Sequence, residues 1–416
     1  MNSAPRSLNP FRVLQTHRNF RLFLGGQTLS LIGTWMQTMA QGWLALQLSN
    51  SALVVGIVAS VGALPVLLFS LHAGAVVDRS NRLRLVKITQ SIFLLEAATL
   101  WLVTWTGHAT IPVLLVLAFI GGTCAAIEIP SRQSLIIQLV GRDDLAPAIA
   151  LNSSGFNLAR IIGPALGGLV IHVLGLAWCF GFNALSYLAV LTGLFMIHLP
   201  HVSTTTTRTP LKQLIRDSSE SASAGLRYLL QPGTVRDLLG LVTVGAVFGG
   251  PFITLMPVMA RDRLGLAADG YGALLASVGV GGLIAALVLA GPATHWRKGK
   301  VLAVSSLAFP VLLLMFSMVT NVNAANILLL FIGCALIVFN AVTNHALQLL
   351  VPEEYRGRLM ALYALVVVGL SQVAGSLVAG AVARVAGVGW AIGGAAAVVL
   401  GYVVWTLRRA PELVEL

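Results

Sequence analysis

Charge is scarce in this chain. Of its 416 residues only 10% are Asp, Glu, Lys or Arg, and acids are the rarer kind, 14 against 26 bases. A soluble domain carries roughly 25% charged residues, so this depletion, with 57% hydrophobic residues, leaves more apolar surface than an aqueous fold of this size can bury. Cysteine is nearly absent. Cys124, Cys179 and Cys334 lie in three separate apolar runs at no disulfide or metal spacing, and the eight histidines are unpaired in sequence, so they read as packing residues and no metal or cofactor is expected. There is no Gly-x-x-x-x-Gly-Lys-Ser/Thr segment for nucleotide phosphates and no carboxylate or histidine cluster, so the chain does not read as an ATP-driven pump or an enzyme. The net charge of +12 makes no nucleic-acid face, because the bases fall in links between apolar runs.

What the chain has is apolar length. Runs of ~20 apolar residues, enough to cross ~30 Å of hydrocarbon, fall at 20–48, 52–77, 85–105, 111–135, 147–174, 176–199, 236–260, 269–292, 300–320, 325–350, 359–384 and 387–407. Twelve spans put both termini on one side. Of the 26 Lys and Arg, 22 fall in the tails, the even-numbered links or the span ends adjoining them, against Arg261, Arg263 and Arg384 on the other side and Arg160 within a span, and by the positive-inside rule the richer side is cytoplasmic. No cleavable signal is read in the basic first 21 residues. The expectation is an all-α, multi-pass protein of the cell inner (cytoplasmic) membrane, with lipid as its surroundings.

The longest polar interval, 200–235, divides the chain into two six-helix bundles, 1–199 and 236–416. Within it Leu211–Leu230 spaces apolar residues as an amphipathic surface helix does; an ordinary solvated linker reads equally well. The segments beginning at 139 and 350, 211 residues apart, both run from a charged link into a small-residue helix, the trace a duplication leaves.

Arg160 is the residue that most needs a reason. It sits midway along LNSSGFNLARIIGPALGG, at 151–168, and a cation at that depth costs ~3 kcal/mol on insertion scales, so it is expected to face the bundle interior or an aqueous cavity. Small neighbours, Gly155, Ala159, Gly163, Gly167 and Gly168, allow close helix approach. Carboxylates within spans are few: Glu96 and Glu128, with Asp78 at an edge and none in the second half. At ~1.5 Å per residue, Glu128 and Arg160 lie at similar depth, so they are expected to pair, with Glu128 as proton carrier and Arg160 as its counter-charge; a static ion pair is the alternative. Glu96, on a helix expected to be peripheral, ranks second.

The link after the second span reads GAVVDRSNRLRLVK. It resembles the Gly-x-x-x-Asp-Arg-x-x-Arg loop of the major facilitator superfamily, through Gly74, Asp78, Arg79 and Arg82. The resemblance implies a gating latch, with Arg132 as a candidate partner for Asp78; in the second half His295 stands near the expected aspartate. Gly163, Pro164, Gly167 and Gly168 match the Gly-Pro-x-x-Gly-Gly pattern of that superfamily's proton-coupled exporters, with Ala159 where the pattern has an earlier glycine. Together with GTWMQTMAQGWLALQLS in the first span and VPEEYRGR at 351–358, these segments are similar to the enterobactin-exporter-like branch, which implies a two-bundle facilitator fold and export.

Gln27, Ser30, Thr34, Gln37 and Gln41 recur every three or four residues of the first span and so share one helix face. A polar stripe is costly against lipid, so this face is expected to line a central cavity; bonding to neighbouring helices is the alternative. Asn340, Asn344, His345 and Gln348 form a comparable stripe on the tenth span, and Phe248, Phe252 and Met256 offer apolar contacts on the seventh. The resulting expectation is a monomeric secondary transporter exchanging small amphipathic molecules for protons by alternating access. A dedicated siderophore or metabolite exporter is the runner-up, and a non-transporting receptor or scaffold the reading from another class.

Overall fold

A computed structural model describes residues 12–197, 231–291 and 296–415. The proposed amphipathic helix at 211–230 and His295 lie outside the described residues. So does the side chain of Asp78, so its pairing is not described.

Among the described residues, twelve long helices follow the twelve apolar runs. They are α1 (Arg18–Ser49), α2 (Ala52–Asp78), α3 (Arg82–Trp105), α4 (Ile111–Val140), α5 (Leu145–Leu174) and α6 (Ala177–Phe195) in the first half. In the second they are α7 (Thr234–Arg263), α8 (Ala268–Ala290), α9 (Lys298–Met318), α10 (Val322–Leu350), α11 (Glu353–Ala386) and α12 (Val388–Arg409). Helix is the outcome because hydrocarbon offers backbone groups no partner but each other. Eleven of the twelve are long and apolar enough to cross a membrane. The remaining one, α1, has 32 residues, or ~48 Å of rise; its polar stripe, not its length, sets it apart. Pro65, Pro130, Pro164 and Pro310 all stand inside helices, which neighbouring helices can tolerate by re-satisfying freed backbone groups.

Among the described residues the turns between spans are short. Asn50 ends α1 in the left-handed region with φ 49°, a conformation asparagine adopts more readily than most residues. Asn81 caps α3 by accepting a hydrogen bond from the Arg84 amide at 3.0 Å, as N-cap side chains do. Two helices depart from regular winding: α7 has π-helical turns at Gly245–Gly249 and Met259–Arg263, and α11 one at Leu365–Gly375. They pack on each other, with the Ser371 hydroxyl donating to the Ala246 carbonyl at 2.6 Å.

The two six-helix bundles meet along two pairs of helices, α2 with α11 and α5 with α8. An offset of 211 residues carries α2 onto α8 and α5 onto α11, so the two pairs are one interface used twice, as duplicated halves require. Both crossings rest on glycine. A Cβ at Gly272 of α8 would lie 2.6 Å from the Pro164 carbonyl oxygen and 2.9 Å from the Gly168 Cα, and one at Gly380 of α11 would lie 2.8 Å from the Ala52 carbonyl oxygen. At the same end Arg261 Nη1 donates to Asn50 Oδ1 at 2.8 Å, and His172 stands 3.6 Å from Asp269. These inter-half contacts all lie toward the end remote from the chain termini, so there the bundles are clamped together.

Candidate functional site

Between the bundles lies a cavity of about 590 Å³, walled by α1 to α6 of one half and α7, α8, α10 and α11 of the other. Gln27, Ser30, Thr34, Gln37 and Gln41 of α1 all line it. The stripe also bonds to neighbours: Gln37 is 7% exposed, its Nε2 donates to both Glu96 oxygens at 3.1 and 3.0 Å, and its Oε1 accepts from Asn183 Nδ2 at 2.8 Å. Thr34 and Tyr187 share a hydroxyl–hydroxyl bond of 3.1 Å.

Glu96 therefore points inward, correcting the expectation of a peripheral residue. It is 5% exposed, lines the cavity and is bonded to a neutral amide. Gly121 of α4 packs beside it, where a Cβ would stand 3.7 Å from the Glu96 carboxyl carbon, an ordinary contact distance. Asn183, Ser186 and Tyr187 on α6 complete the network. Their i, i+3, i+4 spacing was the sequence signal for an inward polar face.

A second glycine holds this network. A Cβ at Gly33 would meet the Asn183 amide oxygen, the Ser186 hydroxyl at 2.8 Å and the Asn183 Cα at 3.1 Å. Gly33→Ala is expected to break the Asn183–Gln37 bond and to cost ~1–3 kcal/mol, the range for overpacking. A lowered thermal midpoint of the purified protein checks this, and an unchanged midpoint counts against it.

Glu128 and Arg160 do not pair, contrary to expectation. Glu128 Oε1 is held by Arg132 Nε at 3.4 Å, one turn along the same helix, and by Gln90 Nε2 at 3.4 Å. Both contacts are long for charge-assisted bonds, which run near 2.7–2.9 Å. A partner at i+4 needs only the helix to form, whereas Arg160 needs two helices rotated correctly. Arg132 is thereby engaged by Glu128. Arg160 lines the cavity, and its buried Nε has no hydrogen-bond partner.

The glycine motif sits at a three-helix junction. A Cβ at Gly163 would stand 2.6 Å from the Trp35 Cβ of α1, one at Gly167 would stand 3.1 Å from Met36 Cγ, and one at Gly168 would meet the Asp269 carbonyl of α8 at 2.9 Å. Pro164 lines the cavity. Around the α2–α3 turn, Gly74 in the last turns of α2 has open space around it, Arg79 caps α2, and the Nε of Arg82, the first residue of α3, is buried without a bonded partner among the described residues.

Two expected walls are elsewhere. Phe252 is 3% exposed and packs edge-on against Phe309 with Met256 beside it in the core, while Phe248 is 37% exposed and off the cavity. The π turn and the 3-10 turn at Gly250–Phe252 rotate α7 away from regular α spacing, so Ile253 and Thr254 take the cavity positions. Asn340 and Asn344 do not line it either: the Asn340 carbonyl accepts from the Tyr363 hydroxyl at 3.3 Å and Asn344 Oδ1 from Gln348 at 2.6 Å. Gly333, Leu336 and Ile337 are the α10 residues that do.

Three relatives match most of this chain over most of their own length. A staphyloferrin A transporter of Staphylococcus aureus is 27% identical over 76% of this chain and 77% of its own. The multidrug efflux pump Tap of Mycolicibacterium fortuitum is 26% identical over 79% and 80%, and the enterobactin exporter EntS of Shigella flexneri 23% over 87% and 84%. Among solved structures, a D-xylose–proton symporter superposes with a TM-score of 0.72, covering 97% of this chain and 99% of that one at 14% identity, a likeness of fold. The family model described as transmembrane secretion effector matches residues 6–415. With twelve helices in two glycine-clamped bundles around a polar cavity, and that match running almost end to end, the chain belongs to the transmembrane secretion effector family of the major facilitator superfamily and is a multi-pass membrane transporter, not an enzyme.

Proposed function

We propose that the chain exports small amphipathic molecules from the cytoplasm in exchange for protons, the cavity opening alternately to either side as the six-helix units 1–199 and 236–416 rock about the linker 200–235. The observation that carries this is Glu96: a carboxyl at the cavity wall, buried within the membrane span, whose bonded partner is a neutral amide. A buried carboxylate that has no cation to displace can take and release a proton without breaking an ion pair. Glu128 is the second candidate, already tied to Arg132. The clamp at the end remote from the termini supports a state open toward the termini side, which the distribution of basic residues assigns to the cytoplasm. Gly74, Asp78, Arg79 and Arg82 remain the proposed gating loop at that side. We take the transporting unit to be a monomer in the inner membrane.

Export is the direction favoured by relatives named as an efflux pump and an enterobactin exporter. A dedicated siderophore exporter is the second reading, favoured by the staphyloferrin A and enterobactin relatives. Purified protein in liposomes with an imposed pH gradient separates these. A lipophilic dye cation, a neutral macrocycle and a polycarboxylate chelator are offered in turn, with internal pH recorded. Movement of several compounds with matching proton flux is expected; movement of the chelator alone selects the second reading, and no gradient-driven movement of any removes both.

A further inference from the structure

Arg160 is a guanidinium on the cavity wall for which the protein supplies no counter-ion among the described residues. Its Nε is buried with no acceptor. Both carboxylates within the spans are engaged elsewhere, Glu128 with Arg132 and Gln90, and Glu96 with Gln37. A guanidinium carries five donors and no acceptor; its Nε is desolvated and unbonded, which is costly, while the side chain as a whole is half-buried and opens on the cavity. A charge kept in a membrane span with its fork free on a cavity wall is placed to meet a group that enters the cavity.

The surroundings say what fits. Across the joint between the halves, Gly282 of α8 faces the guanidinium: a Cβ there would stand 2.8 Å from Arg160 Nη2 and 3.0 Å from Ile337 Cγ1. The missing side chain lets the guanidinium lie directly against α8, so a group bound to its fork on the cavity side would sit at the joint between the halves. Val58, Leu275, Val278 and Leu336 supply apolar walls to the same cavity. The fork geometry matches a carboxylate bidentately. We propose that Arg160 is the recognition site for a carboxylate-type group on the transported molecule, so that the favoured substrates are amphipathic organic anions. This rests on the reading of the cavity as the transport site.

The test is equilibrium binding to the full chain in lipid nanodiscs, with no gradient and with empty nanodiscs subtracted. The probes are 2-naphthoate, its neutral carboxamide and 2-naphthylmethylammonium, which share one ring system. The wild type is expected to bind naphthoate about tenfold or more tighter than the carboxamide, the scale of a hydrogen bond to a charged group. Arg160→Gln should erase that preference and Arg160→Lys keep part of it. Gly282→Asp, which sets a carboxylate against an intact Arg160, should erase it too, whereas the size control Gly282→Asn should not. Equal affinities in the wild type, no naphthoate binding, or a preference that survives Arg160→Gln or Gly282→Asp would overturn the assignment. Gradient-driven movement of a dye cation that persists alongside such a result would leave the transport reading standing. Absence of gradient-driven movement in the wild type would remove that reading whatever naphthoate does.

Discussion

Glu96→Gln is expected to abolish accumulation driven by a pH gradient while leaving substrate binding in place. One pH unit corresponds to about 1.36 kcal/mol per proton, so a gradient of two units coupled to one proton sustains a concentration ratio of ~100. Glutamine is nearly isosteric with glutamate and can still accept from Gln37 Nε2, which lies 3.0–3.1 Å from the carboxylate oxygens. The fold should therefore survive, while the group can no longer ionise. The ratio in the variant should fall to one, with exchange of labelled for unlabelled substrate continuing. Glu128→Gln should retain gradient-driven accumulation and instead lower stability, because it leaves Arg132 without its ion-pair partner. Collapse of accumulation in Glu128→Gln with Glu96→Gln unaffected would transfer the proton to Glu128.

Gly272→Val is the second substitution with a large expected effect. The atoms a Cβ would meet at 2.6–3.1 Å belong to the backbone of Pro164 and Gly168, and backbone within a helix cannot turn aside as a side-chain tip can. The α5–α8 crossing would have to part, disfavouring the state clamped at the end remote from the termini. Overpacking of ~1–3 kcal/mol corresponds to a ~5–150-fold change in the balance between two states. Because every transport cycle passes through the clamped state, turnover should fall by a comparable factor while each six-helix unit stays folded. The clamp can be read directly. With Cys124, Cys179 and Cys334 replaced by alanine, cysteines at 50 and 261, whose native side-chain tips meet across the halves at 2.8 Å, should be joined by a bifunctional thiol reagent as long as an arginine side chain readily in the parent and poorly with Gly272→Val. Unchanged crosslinking and turnover would show that this crossing does not limit closure.

The glycine motif shows how much of this was legible. That Gly163, Pro164, Gly167 and Gly168 belong to a helix built for close approach follows from residue size alone; that Gly163 and Gly167 serve α1 while Gly168 serves α8 depends on how α5 is rotated. The Glu128–Arg132 pair was readable too, since residues four apart on a helix meet wherever the helix forms. Comparing depths pointed instead to Arg160, because depth leaves rotation about the axis open.

By itself, the sequence determined the twelve helices, their division into two halves and the polar face of α1, because these follow from length, apolarity and a 3.6-residue period, which act within one segment. Only the tertiary structure decided that Glu96 turns inward to Gln37, that π turns move Phe252 into the core and bring Thr254 to the cavity, and that Arg160 is left without a counter-ion among the described residues. Each of these depends on the angle at which one helix meets another. That angle is set by which side chains are small enough at the crossing, a property of pairs of helices and of no single stretch of chain.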